Sequence, residues 1–174
     1  MKTLVIHPKD ISTDFLSIIY QNKDYTILND GRISKKQLKL EIKKHDRIIM
    51  LGHGDENGLI DLNIGRYIIN STLIYLLKEK DIVAIWCNAD KFVEKYKLKG
   101  FYSGMFISEI EETYNYISNA SSISIDEIEI SNKLFAKTVN KFIEDDDILE
   151  KVKQEYMDVS SCIINFNNDK LYKS

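Results

Sequence analysis

The sequence predicts an α/β fold, a three-layer sandwich with a mostly parallel central sheet and helices on both faces. Three observations carry this. Short apolar runs recur at TLVIH (3–7), YTILND (25–30), DRIIMLG (46–52) and DIVAIWCN (81–88). Segments of helical periodicity alternate with them, as βαβ units require. DRIIMLG and DIVAIWCN are continuously apolar rather than alternating, the pattern of strands covered on both faces.

The elements follow in order. TLVIH precedes a helix over STDFLSIIYQN, with Ser12 or Thr13 as its cap. YTILND is a strand stopped by the turn signal Asp30-Gly31. Ser34 caps the helix SKKQLKLEIKKH, and DRIIMLG follows as a buried strand. GLIDLN and GRYIIN suit a small hairpin, and Ser71 suits the cap of a helix over STLIYLLKEK. After DIVAIWCN the reading is less regular, with a loop or broken helix over ADKFVEKYKLKGFYSGMF and then a helix over ISEIEETYNYIS. SSISIDEIEI reads as a strand entering the helix SNKLFAKTVNKFIEDD; DILEKVKQEYMDVS reads as a helix and CIINFNN as a last strand.

Composition bounds the function. The 174 residues are 44% apolar and 29% charged, with no linker, repeat or low-complexity tract, so a single domain spanning 1–174 is expected. Net charge is −3 and the charges are interleaved, which argues against nucleic acid or an anionic membrane as partner. The basic run KKQLKLEIKK has the spacing of an amphipathic helix with a solvated lysine face. Two cysteines, Cys87 and Cys162, make no disulfide framework. MKTLVIHPKD lacks a secretory signal's apolar core, and no apolar run is long enough for a spanning helix. A cytoplasmic location with free thiols is expected, and no cofactor is called for.

The chemistry gathers at two strand ends. His53 stands between Gly52 and Gly54 just past RIIML, and Cys87 stands just past IVAIW. In parallel sheets, sites form at the carboxyl ends of strands. One crossover of 34 residues separates the two, which places their strands side by side or one strand apart. A cysteine becomes a nucleophile when a histidine helps to populate its thiolate. Gly54 lets the backbone approach a substrate, and its N–H with that of Cys87 suits an oxyanion hole.

IIMLGHG followed by IVAIWCNA resembles the caspase-like cysteine peptidases, closest in pattern to the bacterial CHAT and clostripain-type domains. The resemblance implies His53 as base or orienting acid, Cys87 as nucleophile, and a peptide substrate. It covers roughly residues 1–145 in pattern but rests on those two motifs. Trp86 departs from the family, where a small or acidic residue commonly precedes the cysteine.

A second function uses the same strand-end cleft without turnover, binding a small anionic or nucleotide-like ligand. Its lining would draw on Gly52, Asp55, Asn57, Trp86, Asn88, Tyr102, Ser103, Gly104 and Ser108, with Arg66 or Lys91 as the charged partner. Phe101 and Tyr102 are read as exposed aromatics suited to stacking on a planar ligand. Ser108 at a helix start offers free N–H groups to an anion, or forms a capping box with Glu111. A third option is an interaction domain without catalysis. Asp55 and Glu56 beside His53 lack metal-ligand spacing, so no metal is expected. His7 either reaches the cleft or is a plain loop histidine, His45 suits a helix C-terminus, and Cys162 reads as structural.

Overall fold

The computed structural model describes residues 1–157 and 161–174. Its central sheet has six strands: β1 (Thr3–Ile6), β2 (Thr26–Leu28), β3 (Arg47–Leu51), β7 (Asp81–Ile85), β8 (Lys99–Ser103) and β9 (Leu171–Lys173). They lie in the order β2-β1-β3-β7-β8-β9; the first five are parallel, and β9 runs antiparallel to β8. A second, three-stranded antiparallel sheet, β4 (His53–Asp55), β5 (Gly58–Asp61) and β6 (Arg66–Ile69), is inserted between β3 and β7.

Side-chain alternation along the strands divides the core in two. Ile48, Met50, Ile82 and Ala84 face one layer, made by α1 (Lys35–Lys44), α2 (Ile74–Leu77) and α3 (Ala89–Tyr96). Ile49, Leu51, Val83 and Ile85 face the other, where the 3₁₀ helix Ile11–Tyr20 packs with α5 (Ile125–Phe142), α6 (Ile148–Tyr156) and α7 (Cys162–Asp169). Successive residues of a strand point to opposite faces, so a continuous apolar run serves both layers at once. The molecule is therefore the three-layer α/β sandwich that the sequence predicts.

Several local expectations are corrected. The cap of the first helix is Asp10, whose carboxylate accepts from the Ser12 N–H at 3.0 Å, and not Ser12 or Thr13. Asn70 caps the short 3₁₀ turn Ser71–Leu73 in place of Ser71. The stretch read as a loop or broken helix resolves into α3 and β8. Gly100 sits inside β8 at φ +147, where a Cβ would stand 1.9 Å from the Ile82 carbonyl oxygen. A glycine needed for close strand approach looks, in sequence, like a turn.

SSISIDEIEI is helical from Ile125. Ser124 and Glu127 close a capping box, and the alternating isoleucines split, with Ile128 buried and Ile125 and Ile130 on the outer face. CIINFNN is α7 rather than a strand: Ser161 caps it, and the buried residues Ile163, Ile164 and Asn167 repeat at helical spacing. Glu109 and Glu112, not Ser108 and Glu111, form the box that opens α4 (Ile110–Tyr116). The helix read over 147–160 ends at Tyr156, and its last three residues lie outside the described residues. Among the described residues, no helix is long and apolar enough to cross a membrane.

Candidate functional site at the carboxyl ends of β3 and β7

Strands β3 and β7 are direct neighbours, with Leu51 opposite Ile85. The chain leaves β3 through Gly52, whose φ of +136 belongs to glycine and whose N–H donates to the Ile85 carbonyl at 3.1 Å. It enters β4 at His53. The chain leaves β7 through Trp86 and Cys87 and enters α3 after Asn88, which adopts a left-handed conformation. His53 and Cys87 consequently line one small cavity. Its other walls are Thr13, Phe15 and Leu16 of the 3₁₀ helix, Gly52, Ile85, Trp86, Phe106, Ser108 and Glu112. The volume, about 30 Å³, is enough to hold a water molecule.

The hydrogen bonds of His53 fix its tautomer. The Ser12 hydroxyl has one proton, and the Asp10 carboxylate at 2.6 Å accepts it. His53 Nε2, 2.7 Å from Ser12 Oγ and 3.3 Å from Asp10 Oδ1, must then carry the hydrogen that it donates to them. In the neutral ring this leaves the lone pair on Nδ1. The same bonds, led by the one from the Ser12 hydroxyl, hold the Asp10 carboxyl below its ordinary pKa.

Cys87 is protonated. Its thiol lies 3.5 Å from the Phe106 carbonyl oxygen and 3.8 Å from Glu112 Oε1, both of which are acceptors. Burial first, and then the Glu112 carboxylate, push the thiol up to about 11. The other oxygen of Glu112 accepts from the N–H groups of Ser108 at 2.7 Å and Glu109 at 3.1 Å. The N–H groups that the sequence offers to an anionic ligand are thus occupied by the chain's own carboxylate.

The remaining predicted residues sort clearly. Gly52, His53, Trp86, Cys87 and Ser108 meet at the cavity; Gly54, which packs against the Trp86 ring, and Asp55, Asn57, Asn88, Tyr102, Ser103 and Gly104 do not line it. Asp55 accepts from the Asn57 N–H at 2.7 Å and the Tyr67 hydroxyl at 2.6 Å, which fixes the β4–β5 turn. Phe101 and Tyr102 are buried, correcting the reading of exposed aromatics; Tyr102 stacks on Tyr172 with centroids 5.7 Å apart. Ser103 donates to the Trp86 carbonyl at 3.0 Å, and the Gly104 carbonyl accepts from the Asn88 N–H at 3.1 Å, so both serve the backbone. Arg66 donates to the carbonyls of Gly31 and Ile33, and Lys91 pairs loosely with Glu56.

His7 is buried and bonded through Nδ1 to the Tyr20 hydroxyl at 3.1 Å. His45 caps α1 and bridges to Thr26. Cys162, in the first turn of α7, is exposed. Among the described residues, no group of three or more His, Cys, Asp or Glu side chains is placed to hold a metal ion.

Sequence reasoning did not single out Asp10 or Glu112, and named Ser12 only as a helix cap. Asp10 and Ser12 reach His53 only because the 3₁₀ helix folds over the sheet edge. The sequence reading gave the capping-box acid to Glu111, one residue before the Glu112 that closes the box. No family model, curated protein or solved structure matches the chain.

Proposed function

We propose that the protein is a cysteine hydrolase, a peptidase of the caspase-like kind, with Cys87 as nucleophile and His53 as base. The observation that carries this reading is the shared cavity, which His53 and Cys87 line from the ends of two adjacent parallel strands. His53 Nδ1, the acceptor nitrogen of the ring, takes the thiol proton as the sulfur attacks a substrate carbonyl carbon. The N–H of Cys87, at the cavity wall, receives the charge that develops on the carbonyl oxygen. Collapse of the adduct breaks the C–N bond, and the departing amine takes the proton from His53. Water then hydrolyses the thioester and restores the thiol.

On this reading the protonated thiol belongs to a resting enzyme. Labelling with a peptidyl acyloxymethyl ketone in a Cys162→Ser background, followed by intact mass, tests the reading. Modification at Cys87 is expected, and His53→Ala is expected to suppress it. Equal labelling of Cys87 in both proteins would remove the hydrolase reading.

The present bonds of the thiol favour a second reading, a ligand-binding domain that does not turn over. Calorimetric titration of Cys87→Ser with nucleoside phosphates and dicarboxylates separates the two. Binding that survives the substitution, alongside an unreactive Cys87, favours the second.

A further inference from the structure

We infer that Asp10, acting through Ser12, is the positioning residue for His53, so that the site is a relay of four groups rather than a dyad. The inference rests on the hydrolase reading proposed above.

The geometry is that of a base oriented by a third group. Ser12 Oγ lies 2.6 Å from Asp10 Oδ1 and 2.7 Å from His53 Nε2, and the same carboxylate oxygen lies 3.3 Å from Nε2. The direction of these bonds puts the hydrogen on Nε2 and the lone pair on Nδ1. When Nδ1 takes the thiol proton, the ring becomes a cation with Asp10 already beside it. Preorganised charge of this kind stabilises the ion pair without moving any group at the moment of reaction. His7, packed nearby, is held neutral by burial and adds no competing positive charge at neutral pH.

Asp10 is also the helix cap, through the Ser12 N–H, and the test has to separate the two jobs. Asn caps as well as Asp does, so Asp10→Asn keeps the cap and removes the charge. Ser12→Ala keeps the backbone donor to Asp10 and removes the bridging hydroxyl.

The experiment measures the second-order rate of Cys87 alkylation by iodoacetamide between pH 5 and 9, in a Cys162→Ser background, with melting temperatures as the check on folding. His53→Ala is expected to lower the rate across this range. Asp10→Asn is expected to lower the His53-dependent part of the rate about ten-fold at pH 7 and to change the shape of its pH profile, with Ser12→Ala changing it in the same direction. If Asp10→Asn and Ser12→Ala match the wild type while His53→Ala slows the reaction, the relay is wrong and the dyad stands. If His53→Ala leaves the rate unchanged, the dyad itself falls and the relay falls with it.

Discussion

The indole of Trp86 occupies the space that Gly54 leaves empty. A Cβ on residue 54 would stand 2.3 Å from Trp86 Cδ1 and 2.5 Å from the Gly58 carbonyl oxygen. The ring nitrogen also donates to the Asp55 carbonyl at 3.0 Å, so Trp86 fastens β4, and with it His53, to the end of β7. The aromatic that departs from the caspase-like pattern is a buried strut and not a stacking surface. Gly54→Ala is therefore expected to destabilise the protein by about 2 kcal/mol, the cost of forcing a methyl group into a filled space. For a domain of this size, thermal melting should fall by roughly 4–8 °C. A melting temperature within a degree of the wild type would show that the indole yields freely.

His7 makes stability depend on pH. Burial lowers its pKa from 6.5 to about 4, against the opposing pull of the Asp14 and Asp10 carboxylates. Below pH 6.5 the unfolded chain takes a proton that the native site refuses until about pH 4, so stability falls as pH drops through that window. From pH 6.5 to 5 the loss is about 2 kcal/mol. His7→Gln, which cannot titrate there, should lose less by that amount when urea unfolding at pH 7 and pH 5 is compared. Parallel losses in both proteins would place the acid sensitivity elsewhere.

The two thiols should differ in reactivity. Cys162 is exposed, whereas Cys87 is held protonated beside Glu112. Iodoacetamide at pH 7.5 is expected to modify Cys162 at least about ten-fold faster, because the thiolate is the reactive form. Glu112→Gln removes the facing charge, yet a glutamine can still close the helix cap. It should bring the Cys87 labelling midpoint down by about one pH unit. Peptide mapping over a pH series measures both, and an unmoved midpoint would absolve Glu112.

Asn167 supports the wall of the site from behind. Its side chain is fully buried, accepts from the Ile107 N–H at 2.7 Å and donates to the Ile107 carbonyl at 2.9 Å. That pins the segment carrying Phe106 and Ser108 against α7. Asn167→Ala leaves a buried donor and a buried acceptor without partners, at an expected cost of about 2–4 kcal/mol. It should also speed Cys87 labelling, since the Phe106 carbonyl is no longer held. Chemical denaturation and labelling measured together check this; a loss of stability with unchanged labelling would confine Asn167 to the fold.

The sequence by itself determined the architecture. Continuous apolar runs such as Ile48–Leu51 and Ile82–Ile85 have to feed two helical layers, and their alternation with helices leaves a parallel sheet as the answer. It also placed His53 and Cys87 at one edge, because a residue that follows a parallel strand emerges at the strand's carboxyl end. What the tertiary structure decided is what each group touches. The local signals of β8 and α7 were overridden by the close approach that Gly100 permits and by the cap that Ser161 supplies. The bond from Ser12 to His53 spans 41 residues and the one from Cys87 to Glu112 spans 25. Neither has a local signature in the sequence. Protonation follows burial and neighbouring charge, and both are set by which helices fold over the sheet edge; a motif can name the thiol and the imidazole but not the state in which the fold holds them.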